Sequence, residues 1–196
     1  QGQFVMNTGQ GVYALPSTTI DLLDQVIRTQ ATTPNQIDIN ISRISESTYS
    51  TLPNKLAQGR PIQVWINRQS NESYLSTATV AATVSSTDTT ITLSSTVSLP
   101  ATGFITIDTE TIYYANVSGN QLLNCYRGQY NGVTNTTAAG HAIGAAVTVN
   151  NLTSVNVWPT PNSPGDQYVF VYWRMRRMQD AGNGVNVQDI PFRLIP

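Results

Sequence analysis

The sequence predicts a mainly β protein: an antiparallel β scaffold with one short helix, interrupted by an inserted small β-barrel or sandwich domain. Three observations carry this expectation. Short segments alternate apolar and polar residues, with turn-forming Gly, Pro, Asn and Asp between them. Charged residues make up only 11% of the 196, less than half the usual share, while Ser, Thr, Asn and Gln are abundant. Finally, a Ser/Thr/Ala/Gly-rich stretch, 74–151, divides two flanks, 1–73 and 152–196, that read as halves of one discontinuous scaffold. Arg60–Arg68 before the break and Val155–Pro159 after it read as strands that would pair if the middle were removed. A hairpin tip tolerates such an insertion because its two ends lie close together.

In chain order, Phe4–Asn7 and Val12–Leu15 around Gly9-Gln10-Gly11 suggest a hairpin that ends at Pro16. Ile20–Arg28 fits a helix by its apolar spacing and a strand by its surroundings. Ile37, Ile39 and Ile41 alternate with polar residues, as in a half-buried strand. Ser45–Thr51 is the short helix, with Ser45 as N-cap and Pro53 forcing its end. Within the insert, Thr90–Leu93, Phe104–Ile107, Ile112–Tyr114, Leu122–Tyr126 and Ala146–Val149 are the expected strands. Tight connections fall at Asp108-Thr109-Glu110 and Gly119-Asn120, and a long Gly/Thr/Ala-rich loop follows Arg127-Gly128. Tyr168–Met178 is the strongest strand signal; Tyr168, Phe170, Tyr172, Arg174 and Arg176 share one face, and Val169, Val171, Trp173, Met175 and Arg177 the other. Asp180–Gly184 reads as a turn.

Composition narrows the function classes. A net charge of −1 gives no global attraction to nucleic acid or anionic lipid, so either would need a local patch. No apolar run has membrane-spanning length, and no membrane partner is expected. The lone Cys125 excludes an intramolecular disulfide framework and reads as a buried small side chain. The chain begins at Gln1 without a methionine and stops at Pro196, just after a segment that looks like the approach to another element, which suggests a fragment of a longer chain.

Candidates for chemistry are few. Asp108 and Glu110, two apart, could serve acid/base work, but acids are also common in tight turns. His141 is the only histidine, so no Cys/His metal set can form, and a loop or packing role is expected for it. Asp180–Gly184 lacks the spaced acids and closing glutamate of a calcium loop. Asn-x-Ser/Thr triplets at Asn40, Asn71, Asn116, Asn135 and Asn151 are expected by chance in so Asn- and Ser/Thr-rich a chain. No glycine-rich phosphate loop precedes a helix. Accordingly no catalytic, metal or cofactor site is assigned, and no enzyme is expected.

The basic residues carry more weight. Arg174, Arg176 and Arg177 extend an aromatic strand, and Arg43, Lys55, Arg60 and Arg68 lie in the same scaffold half. Guanidinium forks suit phosphates, or carboxylates across a subunit interface. Three readings stay open: DNA or lumen contact, a subunit interface, and local pairing with Asp180, Asp189 and Glu46.

Motifs in the flanks resemble the head-to-tail adaptor proteins of short-tailed bacteriophages, the tail tubular or tail accessory group. They include Tyr13-Ala14-Leu15-Pro16, Ile20-Asp21-Leu22-Leu23-Asp24, Leu52-Pro53-Asn54-Lys55, Gly59-Arg60-Pro61, Trp158-Pro159-Thr160-Pro161 and Tyr172–Gly182. The insert is similar to a small β module of phage tail and virion proteins. There the matching residues are Thr90-Ile91-Thr92-Leu93, Leu99-Pro100-Ala101-Thr102-Gly103, Ile107–Tyr114, Tyr126-Arg127-Gly128 and Thr136–Val147 with His141. The resemblance implies a virion structural protein at the head-to-tail junction or tail, a ring, by expectation twelvefold, continuing the DNA channel. Its implied partners are further copies of itself, the portal protein, tail nozzle or tail fibre proteins, and packaged DNA contacted without sequence preference. The helices that precede and follow the β part in such adaptors are not seen in this sequence. Alternatives are a tail-associated host-surface or glycan-binding module, with Tyr113, Tyr114, Tyr126 and Tyr130 stacking on sugars, and a capsid decoration protein.

Overall fold

A computed structural model describes residues 1–30, 33–69, 71–162 and 168–177. Among the described residues strands dominate, and the single helix is α1 (Glu46–Ser50). Three principal sheets organise the chain.

The first sheet orders β1 (Gly2–Val5), β16 (Tyr168–Arg176), β3 (Thr19–Thr29) and β4 (Ile37–Asn40), all antiparallel. The second orders β2 (Val12–Ala14), β14 (Ser154–Trp158), β7 (Gln63–Asn67) and β5 (Ser42–Arg43), with β5 parallel to β7. Both draw strands from either side of the middle segment. Val155 pairs with Ile66 and Val157 with Val64, so the strands that flank the break are neighbours, as their sequences suggest. A two-residue parallel contact joins β6 (Gln58–Gly59) to β15 (Thr160–Pro161).

The middle segment forms a sheet of its own: β8 (Ser73–Thr79), β13 (Ala146–Asn150), β10 (Gly103–Ile107), β11 (Glu110–Ser118), β12 (Gln121–Tyr126) and β9 (Thr90–Thr92), in that spatial order. Its edges meet beyond β8 and β9, where Val80 bridges Leu93 and the Ala81 N–H reaches the Thr92 carbonyl at 2.9 Å. The sheet therefore curls round an interior of Val80, Ile91, Leu93, Ile105, Ile107, Ile112, Tyr114, Leu122 and Val147, with Cys125 at 3% exposure among them. Burial pushes the Cys125 thiol up to about 12, as expected for a packing cysteine.

A second core fills the space between the first two sheets: Met6, Leu15, Ile27, Val64, Ile66, Val155, Val157, Phe170 and Tyr172 are its centre. Each large apolar side chain buried there contributes about 1.5–3 kcal/mol. The two cores touch through a third cluster, Ala14, Phe104, Tyr113 and Leu152. That contact explains why β11 is buried at five consecutive positions, Glu110–Tyr114. Ile112 and Tyr114 face the interior of the curled sheet, whereas Phe104 and its cross-strand partner Tyr113 dock on the scaffold. Gln10 Nε2 donates to Gln129 Oε1 at 2.6 Å and the Ser17 N–H to the Gly132 carbonyl at 2.8 Å across the same boundary.

Several expectations change. Phe4–Asn7 and Val12–Leu15 do not pair with each other: β1 pairs with β16 and β2 with β14, in different sheets. Gly9, at φ 76°, turns the chain between them, and burial of Phe4 and Tyr13 against the common core outweighs a local hairpin. Ile20–Arg28 is a strand, because its apolar row continues a sheet rather than facing a partner at helical spacing. Ser73–Thr79, too polar to stand out, is also a strand. Helix α1 starts at its Ser45 cap as predicted, with Ser45 Oγ accepting from the Thr48 N–H at 3.2 Å. In β16 the predicted faces hold for Phe170 and Tyr172 against Val169 and Val171, which lie in different clusters. The predicted turn at Asp180–Gly184 and the segment Ile190–Ile195 lie outside the described residues.

Candidate functional site: two charge clusters

The Asp108-Thr109 turn joins β10 to β11, so Glu110 enters at the start of a strand whose neighbours are buried. Its side chain is fully enclosed. Arg127, just past the end of β12, meets it edge-on: Nε donates to Oε1 at 2.8 Å and Nη2 to Oε2 at 2.7 Å. The Gly128 N–H donates to Oε1 at 2.8 Å and the Ala139 N–H to Oε2 at 3.0 Å. His141 adds Nε2 at 2.8 Å from Oε2, and its Nδ1 lies 2.8 Å from Asp108 Oδ2. Burial alone would raise the Glu110 carboxyl; the Arg127 guanidinium, the two backbone N–H groups and His141 outweigh it and hold the group below the usual carboxylate range.

Arg127 spends its remaining donors on carbonyls: Nη1 on Ser85 and Asp88, Nη2 also on Ala139. All five guanidinium N–H groups are thus engaged. Both nitrogens of His141 face carboxylate oxygens, which only accept, so the ring donates to both only when doubly protonated. No atom of Glu110, Arg127 or His141 is left over to bind or activate a substrate, and the arrangement acts as a staple. It ties the β10–β11 turn, the 85–88 loop, the end of β12 and the 136–141 loop into one unit. Gly128 sits at φ 60°, and a Cβ there would crowd the Thr136 carbonyl at 3.1 Å, so this corner needs glycine.

The expectation for Glu110 is corrected: it is not a turn acid but a buried ion-pair partner. His141 is the satisfied packing histidine anticipated, but with partners the sequence does not connect. Arg127 escaped the basic group because it lies alone in the insert; the Tyr126-Arg127-Gly128 motif was the available signal. Tyr113 and Tyr114, at 4% and 0% exposure, have no open face for a sugar.

The scaffold arginines meet differently. Arg43 Nη2 lies 2.8 Å from Asp21 Oδ1 and Arg68 Nη2 2.7 Å from Asp21 Oδ2, so one exposed-side acid holds two cations from the second sheet. Arg43 Nη1 also donates to the Leu22 carbonyl at 3.3 Å. Arg174, the cross-strand neighbour of Leu22, donates from Nη1 to the hydroxyls of Thr18 and Thr19 at 2.8 and 3.1 Å. Arg176 pairs in register with Thr19, and the Arg177 N–H reaches the Thr18 carbonyl at 2.8 Å. The guanidinium groups of Arg43, Arg68 and Arg174 therefore converge on Thr18–Leu22, with the backbone of Arg176 and Arg177 beside it. Two bulges there, opposite Trp173/Arg174 and Met175/Arg176, drop Leu23 and Ile20 out of register and leave both exposed.

Lys55 and Arg60 are not part of this group. Lys55 Nζ donates to the Ser50 and Leu52 carbonyls at 3.1 and 3.3 Å and lies 5.6 Å from the Tyr49 ring, closing the end of α1. Arg60 is exposed in the turn after β6. Of the local partners expected for the arginines, Asp180 and Asp189 lie outside the described residues, and the acid that Arg43 meets is Asp21 rather than Glu46. Among the described residues no group of His, Cys, Asp and Glu has the makings of a metal site, and no helix is long and apolar enough to cross a membrane. No family model, curated protein or solved structure matches the chain.

Proposed function

We propose that this chain is a virion structural protein, a ring-forming head-to-tail adaptor that continues the DNA channel and carries the curled middle sheet as an outward module. One observation supports it above others: the guanidinium groups of Arg43, Arg68 and Arg174 gather at one end of β3 and β16, where the backbone of Arg176 and Arg177 also runs, with Asp21 as the acid that Arg43 and Arg68 share. A basic cluster on a chain of net charge −1 is a local feature suited to phosphate or to an acidic neighbour. The arginines either line the channel or hold adjacent copies together; the ring would be twelvefold, between the portal protein and the tail nozzle or fibres.

Cryo-electron microscopy of purified particles, with symmetry tested at the tail vertex, checks this reading. A ring of this chain below the portal is the expected result; the chain at a fibre tip or on the capsid surface would overturn it. Charge reversal of Arg174 and Arg176 together should block assembly or DNA retention, and fully infectious, normally packed particles would rule out their role.

A further inference from the structure

Strand β14 turns Val155 and Val157 into the scaffold core, so Ser154 and Asn156 lie on its other face. Strands β10 and β11 stand opposite that face through Phe104 and Tyr113, and a cleft of about 170 Å³ remains between them. Ser154 is only 2% exposed there and Asn156 6%. Buried polar groups normally have partners, and these do not. Asn156 Nδ2 is shut off from solvent with nothing to donate to, and among the described residues Asn156 Oδ1 and Ser154 Oγ have no hydrogen bond either. Asn67, the cross-strand neighbour of Ser154, accepts from Gln69 Nε2 at 2.8 Å but has no partner for its own Nδ2 among the described residues. Asn150 gives its Nδ2 to Thr106 Oγ1 at 2.7 Å and keeps Oδ1, and the Asn151 carboxamide has neither end engaged among the described residues.

This lining selects a ligand chemistry. None of the described residues that line the cleft is Lys, Arg, His, Asp or Glu, so an ion would find no counter-charge, and an apolar group would leave the carboxamides unpaired. A flat heterocycle finds no slot, because the Phe104 and Tyr113 rings are tilted at 48° to each other and each residue is 4% exposed. An extended peptide finds no free strand edge: β14 is flanked by β2 and β7, and β10 by β13 and β11. What fits is a compact neutral ring with several hydroxyls, each able to donate and to accept, and with C–H edges for Val12 and Pro100.

We infer that the cleft binds one hexopyranose unit of a neutral carbohydrate, held by carboxamides rather than by stacking on tyrosine. A vicinal pair of hydroxyls matches a carboxamide, accepting from Nδ2 and donating to Oδ1, and Asn156 is the residue whose unmet bonding this satisfies. The cleft is well below the volume of a drug-sized pocket, so one ring enters and the rest of a longer carbohydrate stays outside. The inference goes beyond the adaptor reading and does not depend on it.

Titration of the full chain with the methyl α-pyranosides of D-glucose, D-galactose and D-mannose, followed through the side-chain amide signals by heteronuclear NMR, tests it. At least one of these sugars should give saturable shifts at Asn156, Asn151 and Asn67, with a Kd of about 1 mM. Asn156→Leu, close in volume but without the amide, should weaken that sugar at least about tenfold while the rest of the spectrum stays in place. If the leucine unfolds the chain, Ser154→Ala decides: it should weaken the same sugar, and undiminished binding would overturn the inference. No saturable shift with any of the sugars would overturn it as well. So would equal shifts of the same amides by inorganic phosphate or by N-acetylglycinamide, which would assign the cleft to an anion or to a peptide amide.

Discussion

Two clusters of the same ions, one in the middle sheet and one on the scaffold, have opposite physical characters. Around Glu110 the side chains of Glu110, Arg127 and His141 are enclosed, at 0%, 8% and 1% exposure. Around Asp21 they are open, with Arg43 at 40% and Arg68 at 56%. The enclosed cluster surrounds Glu110 with Arg127, His141 and two backbone N–H groups and uses every guanidinium donor; the open one sets Arg43 and Arg68 against the one acid they share. A buried charge must be fully paired because desolvation is expensive, so a saturated cluster holds structure together and has nothing to offer a ligand. An exposed, unbalanced cluster stabilises little and can bind.

The largest expected effect breaks the enclosed cluster. Glu110→Ala strands Arg127 in the interior and should destabilise the chain by about 3–5 kcal/mol, read by chemical unfolding. Replacing both as Glu110→Leu with Arg127→Met should cost clearly less than the sum of the single changes; simple additivity would show that the pair is not coupled. His141→Ala leaves Glu110 held by Arg127 but removes the link to Asp108, for a loss of about 1–3 kcal/mol.

Acid probes the same contrast. A carboxyl depressed in the folded state contributes stability above its unfolded pKa and loses it as pH falls through the folded one. Unfolding free energy assigned to Glu110 should therefore be constant at neutral pH and fall as pH drops from the ordinary carboxylate range toward the lower folded pKa, and Glu110→Gln should flatten that acid limb. The smallest effect belongs to the open cluster. Asp21→Asn should change stability by less than about 1 kcal/mol, since its pairs are solvent-screened. It should nevertheless tighten binding to a DNA duplex and steepen the salt dependence, because it removes the acid shared by Arg43 and Arg68. A stability loss as large as that of Glu110→Ala would erase the distinction between the clusters.

Much of this was legible in residue order. The helix cap at Ser45, the turn at Gly119-Asn120, the β16 faces and the pairing of β7 with β14 all follow from local chemistry or from two strands flanking one break. The clusters were not legible. Arg127 and His141 lie 17 and 31 positions from Glu110, and nothing in spacing tells which loops fold back to a strand start. The motifs Ile107–Tyr114, Tyr126-Arg127-Gly128 and the stretch through His141 stood apart in the sequence as likenesses only; in space they make one staple.

Alternation, turn residues and scarce charge determined by themselves that the chain is mainly β with one short helix, because these are short-range preferences of the backbone and of a half-buried strand. Only tertiary structure decided which strands share a sheet, which acids are buried and which arginines meet. Those outcomes depend on long-range packing: β1 and β2 part to opposite sheets because Phe4 and Tyr13 reach a common core, and Glu110 becomes a buried ion because the Ser85, Ala139 and His141 loops close over it.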